Sequence, residues 1–321
     1  MGGQNEGKDY ECGLSAEAKD AARAELREDD ATRRHSLEQF RDWISKHPHI
    51  KQCRTDSVFL LRFLRTKKFS LPMAQEMLER YLTIRQLYPE WFQNLDIDDP
   101  DIEAIIDSGY LVPLQQRDER GRRVILSCAG RFDPYKYTSA QMARAHSLVV
   151  EALMDDEDNQ VHGYSHVNDE SGLTMGHLSA WSLNDIRNML RCIQNSTPMR
   201  HKETHFINIP GCATKIIEFA ISLLNEKLRS RILVHKSLDH LRETINPKIL
   251  PKEYGGEVPL ADMIASFKKE LRSKRDQLKA LDDMYIEITK DSTCANGTSG
   301  QTSNDALDSS ISGSFRKLEV D

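Results

Sequence analysis

No apolar run in this 321-residue chain approaches the ~20 residues that a bilayer-spanning helix needs, so no membrane span is expected. The first residues, MGGQNEGKDYE, lack an apolar core, and a secretory signal is not expected either. Gly2 stands where a myristoylated glycine would, but Glu6 occupies the place such a site gives to Ser or Thr. The six cysteines, Cys12, Cys53, Cys128, Cys192, Cys212 and Cys294, show no C-x-x-C spacing. That argues against a zinc site and against a disulfide framework, and it points to reduced thiols inside a cell. The sequons at Asn195 and Asn296 then read as chance matches. Phosphate loops of the G-x-G-x-x-G and G-x-x-x-x-G-K-[ST] kinds are missing, as is a G-x-S-x-G nucleophile elbow. There is no internal repeat. The net charge of −6 marks no general polyanion binder, so nucleic acid is not expected and an anionic partner must meet a local basic patch.

What is present is a central unit, residues 199–257. A strand-like run, 203–209, ends at Pro210-Gly211, and a helix-like run, 214–228, follows. A β-rich run, 231–234, then leads into a second short helix and Glu253-Tyr254-Gly255-Gly256-Glu257. Strand, helix, strand is the unit of a parallel sheet. On a helical wheel Ile216, Ile217, Phe219, Ala220, Ile221, Leu223 and Leu224 fill an apolar arc of roughly 200°, against roughly 100° for a helix lying on one core. Two readings follow: a deeply buried crossover helix, or a lid with a greasy inner face over a ligand cavity. For a lid, Gly211 and Cys212 would be the upstream hinge, because glycine tolerates the backbone change. Arg200 and Lys202 alternate before the strand and share a side. Lys227 and Arg231, four apart, share a helical face if the helix persists that far.

Elsewhere the spacing predicts helices over 15–46, with Leu37, Phe40 and Ile44 inward, and over 56–65, with Val58, Leu61 and Leu64 or Phe63 inward. Ser70 is the expected cap of a third helix, which has Pro72 in its first turn and stops at Pro89. At Tyr110 the period changes, and 110–114 with 124–128 read as a hairpin. Thr138 or Ser139 caps a helix to about 159, 161–169 is a polar strand, 183–193 is a helix, and 261–288 is one long amphipathic helix. The acidic run from Asp155 to Asp158 lacks the glycine and terminal glutamate of a calcium loop and reads as a solvated helix end. His201 and His205, on one strand, stand roughly 13 Å apart, too far to share a metal. The expected fold is α/β: an N-terminal helical bundle, 15–100, then a mixed, largely parallel sheet with flanking helices, 101–290. Residues 1–14 and 291–321 read as disordered.

Four stretches carry a resemblance: Leu60-Leu61-Arg62-Phe63-Leu64-Arg65 with Lys68-Phe69, His205-Phe206-Ile207-Asn208-Ile209-Pro210, Leu224-Asn225-Glu226-Lys227, and Leu250-Pro251-Lys252-Glu253-Tyr254-Gly255-Gly256. In this order they resemble the CRAL-TRIO lipid-transfer family, in the branch of the α-tocopherol transfer protein, cellular retinaldehyde-binding protein and the clavesins. The resemblance runs over about 56–288. It implies a non-enzymatic monomer without cofactor or metal, holding a small hydrophobic lipid and visiting phosphoinositide-bearing membranes, endosomal ones among them, from the cytoplasm. By alignment with the tocopherol carrier, the head group falls to Lys67, Arg200, Lys202, Lys227 and Arg231. The expected pocket draws on His146, Val150, Tyr164, Leu173, Met175, Trp181, Met189, Met199, His201, Phe219, Leu223 and Leu224, with Met175, Met189, Met199 and Trp181 as polarizable and aromatic side chains that adapt to a flexible ligand. His146 and Val150 stand where the tocopherol carrier has serines, Asn168 where it has phenylalanine and Thr204 where it has isoleucine. Tocopherol itself is thereby placed in doubt, and a retinoid, a terpenoid or another lipid stays open. Two alternatives also stay open: a phosphoinositide-binding regulator of endosomal or lysosomal traffic without net transfer, as the clavesin resemblance implies, and an α/β enzyme.

Overall fold

A computed structural model describes residues 10–288. Seven strands occur among them: β1 (Ile50–Gln52), β2 (Leu111–Pro113), β3 (Arg123–Cys128), β4 (Tyr164–Asp169), β5 (His201–Ile207), β6 (Ile232–Val234) and β7 (Tyr285–Ile286). β2 to β6 form one sheet in sequence order; β2 runs antiparallel to β3 and the remaining pairs are parallel. The expected α/β class with a mixed, largely parallel sheet is what the chain adopts. β1 and β7 pair separately and antiparallel.

Three crossovers build the parallel part. The helix Ser139–Met154 joins β3 to β4, Leu183–Asn195 joins β4 to β5, and Thr214–Ser222 joins β5 to β6. Local chemistry sets their ends. Thr138 and Gln141 form a reciprocal capping box, and Ser182 with Asp185 forms a second. Gly163 turns the chain into β4 at φ +82°, where a Cβ would lie 2.3 Å from the Arg200 carbonyl oxygen.

Alternation along the strands gives the sheet two faces. Val124, Leu126, Val167 and Ile207 pack under Leu241, Leu260 and Met263. On the other face Ile125 and Tyr164 join a core shared with the helical first third, through Phe40, Phe59 and Leu78. Motif residues distant in sequence lock together here: Asp169 accepts hydrogen bonds from Tyr254 (2.6 Å) and Asn208 (2.9 Å).

Several expectations need correction. The helix expected over 15–46 runs as Ala16–Ala21, continues as a π-turn over Ala22–Leu26 and breaks at Arg27, whose φ is 61°, before resuming as Asp30–Lys46. Ser70 makes no side-chain cap. The helix expected to reach 159 stops at Met154, and Glu157–His162 is a separate helix capped by Asp156. The long helix expected over 261–288 is three pieces, Leu260–Ser273, Arg275–Lys279 and Ala280–Asp283, followed by β7. Strand pairing of Ile286 with Ile50 draws the end of the chain away from the helix axis.

The acidic run is half-buried and ion-paired rather than a freely solvated helix end. Arg62, 1% exposed, pairs with Glu151 (2.8 Å) and Asp155 (2.5 Å); Arg65, fully buried, pairs with Glu28 and Glu157, both at 2.8 Å. Most of the expected disordered ends lie outside the described residues. Residues 10–14 are placed, though: Leu14 is buried and the Tyr10 hydroxyl donates to Glu157, so that expectation is too long at the N-terminus.

Candidate functional site

Between the second face of the sheet, that of Tyr164, and its crossover helices lies a cavity of about 380 Å³. The floor is β4 and β5, through His166, Asn168, His201, Thr204 and Phe206. The helix Ser139–Met154 contributes His146 and Val150, and Leu183–Asn195 contributes Met189 and Ile193. The roof is Thr214–Ser222, which presents Ile217, Ala220 and Ile221 at helical spacing, continued by Leu224 and Leu228.

The roof differs from the expected continuous helix over 214–228. Asn225 caps a separate short helix, Glu226–Arg229, by accepting from the Leu228 amide at 3.0 Å. Gln194 pins this break on both sides, donating to the Leu223 carbonyl (3.3 Å) and accepting from the Asn225 amide (2.8 Å). No residue of Thr214–Ser222 is buried. A crossover helix sealed in a solid core would be, so its broad apolar arc faces open space and a neighbouring helix instead. Gly211 has nothing within 4 Å of where a Cβ would sit, and Cys212 is exposed.

Of the residues expected in the pocket, His146, Val150, Met189, Met199, His201 and Leu224 line the cavity. The others lie elsewhere, for visible reasons. Tyr164 is core, its hydroxyl donating to the Leu153 carbonyl at 3.1 Å. Leu173 sits in the turn after β4, and Met175 is 43% exposed. Trp181 packs near Trp91 and donates to the Met142 sulfur at 3.3 Å. Phe219 turns sideways under the Arg187 guanidinium, 5.5 Å from its ring centre. Leu223 sits at the break, half-buried. Sequence reasoning missed Tyr81, Ile84 and Phe92, supplied by the helical first third, and it missed His166 and Phe206. The alternation of β5 could have flagged Phe206; nothing local marks the first three.

The five basic residues come from three segments to one rim of the cavity. Lys67 closes the helix Ser57–Thr66, Arg200 and Lys202 open β5, and Lys227 and Arg231 flank the end of the short roof helix. Their charges feel one another. Burial, and then Arg231, Lys68 and Arg200, lower the Lys227 pKa; burial, and then Arg80, lower that of Lys67, with Lys227 adding to the effect. Among the described residues Lys67, Lys68 and Lys227 have no ion-paired carboxylate. Arg200 and Lys202 share one, Glu25, at 2.7 and 2.8 Å. Burial opposes its ionisation, but the bonds from Lys202 and Arg200 win and bring Glu25 down to about 2. Arg231 also lines the cavity and donates to the His201 carbonyl, so patch and cavity meet there.

A helical segment followed by an α/β sheet with an apolar cavity on one face is thus the class of protein in hand. Residues 107–256 match the CRAL/TRIO domain, and residues 29–102 match the Pinta-like, UBA domain. Clavesin-1 of Xenopus laevis is 34% identical over 253 residues, 78% of this chain and 76% of that protein. Clavesin-2 of Mus musculus is 34% identical over 254 residues, 79% of this chain and 78% of that protein. The chain belongs to the CRAL/TRIO domain family, and that membership implies a hydrophobic lipid ligand. Among solved structures, the crystal structure of Sfh5 is similar with a TM-score of 0.49 at 11% identity, over 81% of this chain and 98% of that one. Among the described residues no helix is long and apolar enough to cross a membrane.

Proposed function

We propose that this protein is a non-enzymatic carrier that encloses one small hydrophobic lipid and delivers it to phosphoinositide-bearing membranes. The single observation that carries this reading is the apolar cavity of about 380 Å³ beneath a helix with no buried residue. Burying apolar area at ~25 cal/mol per Å² is sufficient to draw such a molecule out of water. Release requires the roof to move, and the break at Asn225 with the open surroundings of Gly211 gives it two ends on which to turn. Lys67, Arg200, Lys202, Lys227 and Arg231 are the proposed head-group site, at the rim where the cargo would leave. The lipid-binding domain in this proposal is 101–290, with 15–100 as its helical companion, and tocopherol-, retinoid- and terpenoid-like lipids are the candidate cargoes.

The basic patch alone favours a second reading, a phosphoinositide-binding regulator of endosomal or lysosomal traffic that moves no lipid. Transfer between vesicles separates the two. Donor vesicles made from a cell lipid extract are incubated with the protein and acceptor vesicles, with and without phosphoinositide in the acceptors. The carrier reading expects stoichiometric, protein-dependent arrival of one lipid species, faster into phosphoinositide acceptors. Vesicle binding with no lipid moved would leave the regulator.

A further inference from the structure

The charged and amide groups of the cavity wall are already committed. Glu151 pairs with Arg62, Glu203 pairs with Arg122, Asn168 donates to the His205 carbonyl, and Arg231 donates to the His201 carbonyl. Three imidazoles are not fully so, two of them bonding only each other. His146 projects from the helix Ser139–Met154, His166 from β4 and His201 from β5, and all three line the cavity. A bulge puts the last one there. Tyr164 pairs with His201 and Ser165 with Glu203, so Lys202 is the extra residue and His201 keeps the face of Tyr164 and His166.

The rings of His166 and His201 lie 5.3 Å apart, with Nδ1 of His201 3.3 Å from Nε2 of His166. Nε2 of His201 is buried without a partner, and His146 has no hydrogen-bond partner among the described residues. Burial holds His146 and His201 at about 4, with Arg231 adding to the effect at His201, and holds His166 well below its ordinary value. At neutral pH each ring is therefore uncharged and carries one N–H donor and one acceptor nitrogen.

We propose that the cargo is an amphiphile, a hydrocarbon body with one neutral oxygen end group, hydroxyl or carbonyl, seated against His146, His166 and His201. This rests on the carrier reading above. A hydroxyl answers both functions of an imidazole, since it donates to the bare nitrogen and accepts from an N–H; a carbonyl answers the N–H. A plain hydrocarbon would strand these groups in an apolar chamber. A carboxylate would demand that one of the buried rings take up a charge, because Arg231, the cation in the wall, already serves a carbonyl.

The test uses the full chain, freed of endogenous lipid, and displacement of a fluorescent lipid by four probes: hexadecan-1-ol, hexadecan-2-one, hexadecane and hexadecanoic acid. The alcohol and the ketone are expected to bind at least about tenfold more tightly than the hydrocarbon and the acid, as one neutral hydrogen bond in an apolar site implies. His201→Leu should remove that preference while keeping hexadecane binding, and His201→Gln should retain it. His235→Gln, which changes an imidazole on the opposite face of the sheet, should leave all four affinities unchanged. Equal binding of alcohol and hydrocarbon would overturn the proposal, with trapped water serving the imidazoles, and so would tightest binding of the acid. Failure of every probe would bring down the carrier reading itself. Should His201→Leu fail to fold by circular dichroism, the four affinities of the unaltered protein still decide.

Discussion

The helices Ser57–Thr66 and Thr214–Ser222 are both mostly apolar, yet eight of the ten residues of the first are buried and none of the second. The first is wedged between other helices and held by Arg62 and Arg65, whose guanidinium groups are neutralised from three directions by Glu28, Glu151, Asp155 and Glu157. The second touches the body through a cavity and is pinned mainly at its C-terminal break by Gln194. Similar apolar content thus yields a buried strut in one place and a roof with no buried residue in another. The difference lies in what stands opposite each helix, not in the helix itself.

The contrast can be broken at the strut. Arg65→Ala leaves Glu157 without its ion-pair partner and Glu28 with Arg33 alone (3.2 Å) in a buried site, which costs about 3–5 kcal/mol. Urea unfolding should show a large fall in the midpoint, whereas Ile221→Ala in the roof should shift it far less. Next in size is a charge placed inside the roof. Ile221→Asp should weaken cargo binding by well over about tenfold, since a carboxylate would have to be desolvated against the lipid. Its far-UV circular dichroism should match that of the unaltered protein; equal loss of helix and binding would make the roof merely structural.

The cavity face also carries a pH signature. His146 and His201 stand at about 4 in the folded chain, against about 6.5 when unfolded. Between these values the unfolded chain binds more protons, so stability is fully present above pH 6.5 and is lost as pH falls toward 4. Each such group contributes up to about 1.4 kcal/mol per pH unit in that window. His205, also at about 4 but facing away from the cavity, adds to the slope. Melting temperatures from pH 7.5 to 4.5 should decline, and the His146→Leu, His201→Gln double variant should decline less steeply.

The smallest expected effects belong to the rim. Lys227 is exposed, so Lys227→Ala should weaken co-sedimentation with phosphoinositide vesicles only about five- to tenfold, with cargo binding unchanged. Arg231 is the poorer choice, because it also lines the cavity. Glu25→Gln should act in the opposite direction and strengthen that sedimentation several-fold, since it frees Arg200 and Lys202 of their shared counter-charge.

Much of the architecture was legible along the chain. The hairpin, the crossover helices and the parallel strands follow from local period and caps, as Thr138 illustrates. What escaped was decided by partners far away in sequence. The break at Asn225 depends on Gln194, and the end of the last long helix depends on Ile50. The burial of Arg62 and Arg65 was not legible either, because nothing near them in sequence announces Glu28 or Glu151. Half of the expected pocket lines the cavity, chiefly residues on its crossover helices and β5; Met175 and Trp181 were chosen for residue type alone and lie elsewhere.

Native mass spectrometry of the purified protein tests the central claim most directly, namely that the space beneath Thr214–Ser222 is a cargo chamber. The account predicts a single added mass, at one per chain, that is released on denaturation and identified in the organic extract as a hydrophobic lipid. Protein that is repeatedly empty, even after incubation with cell membranes, would contradict it.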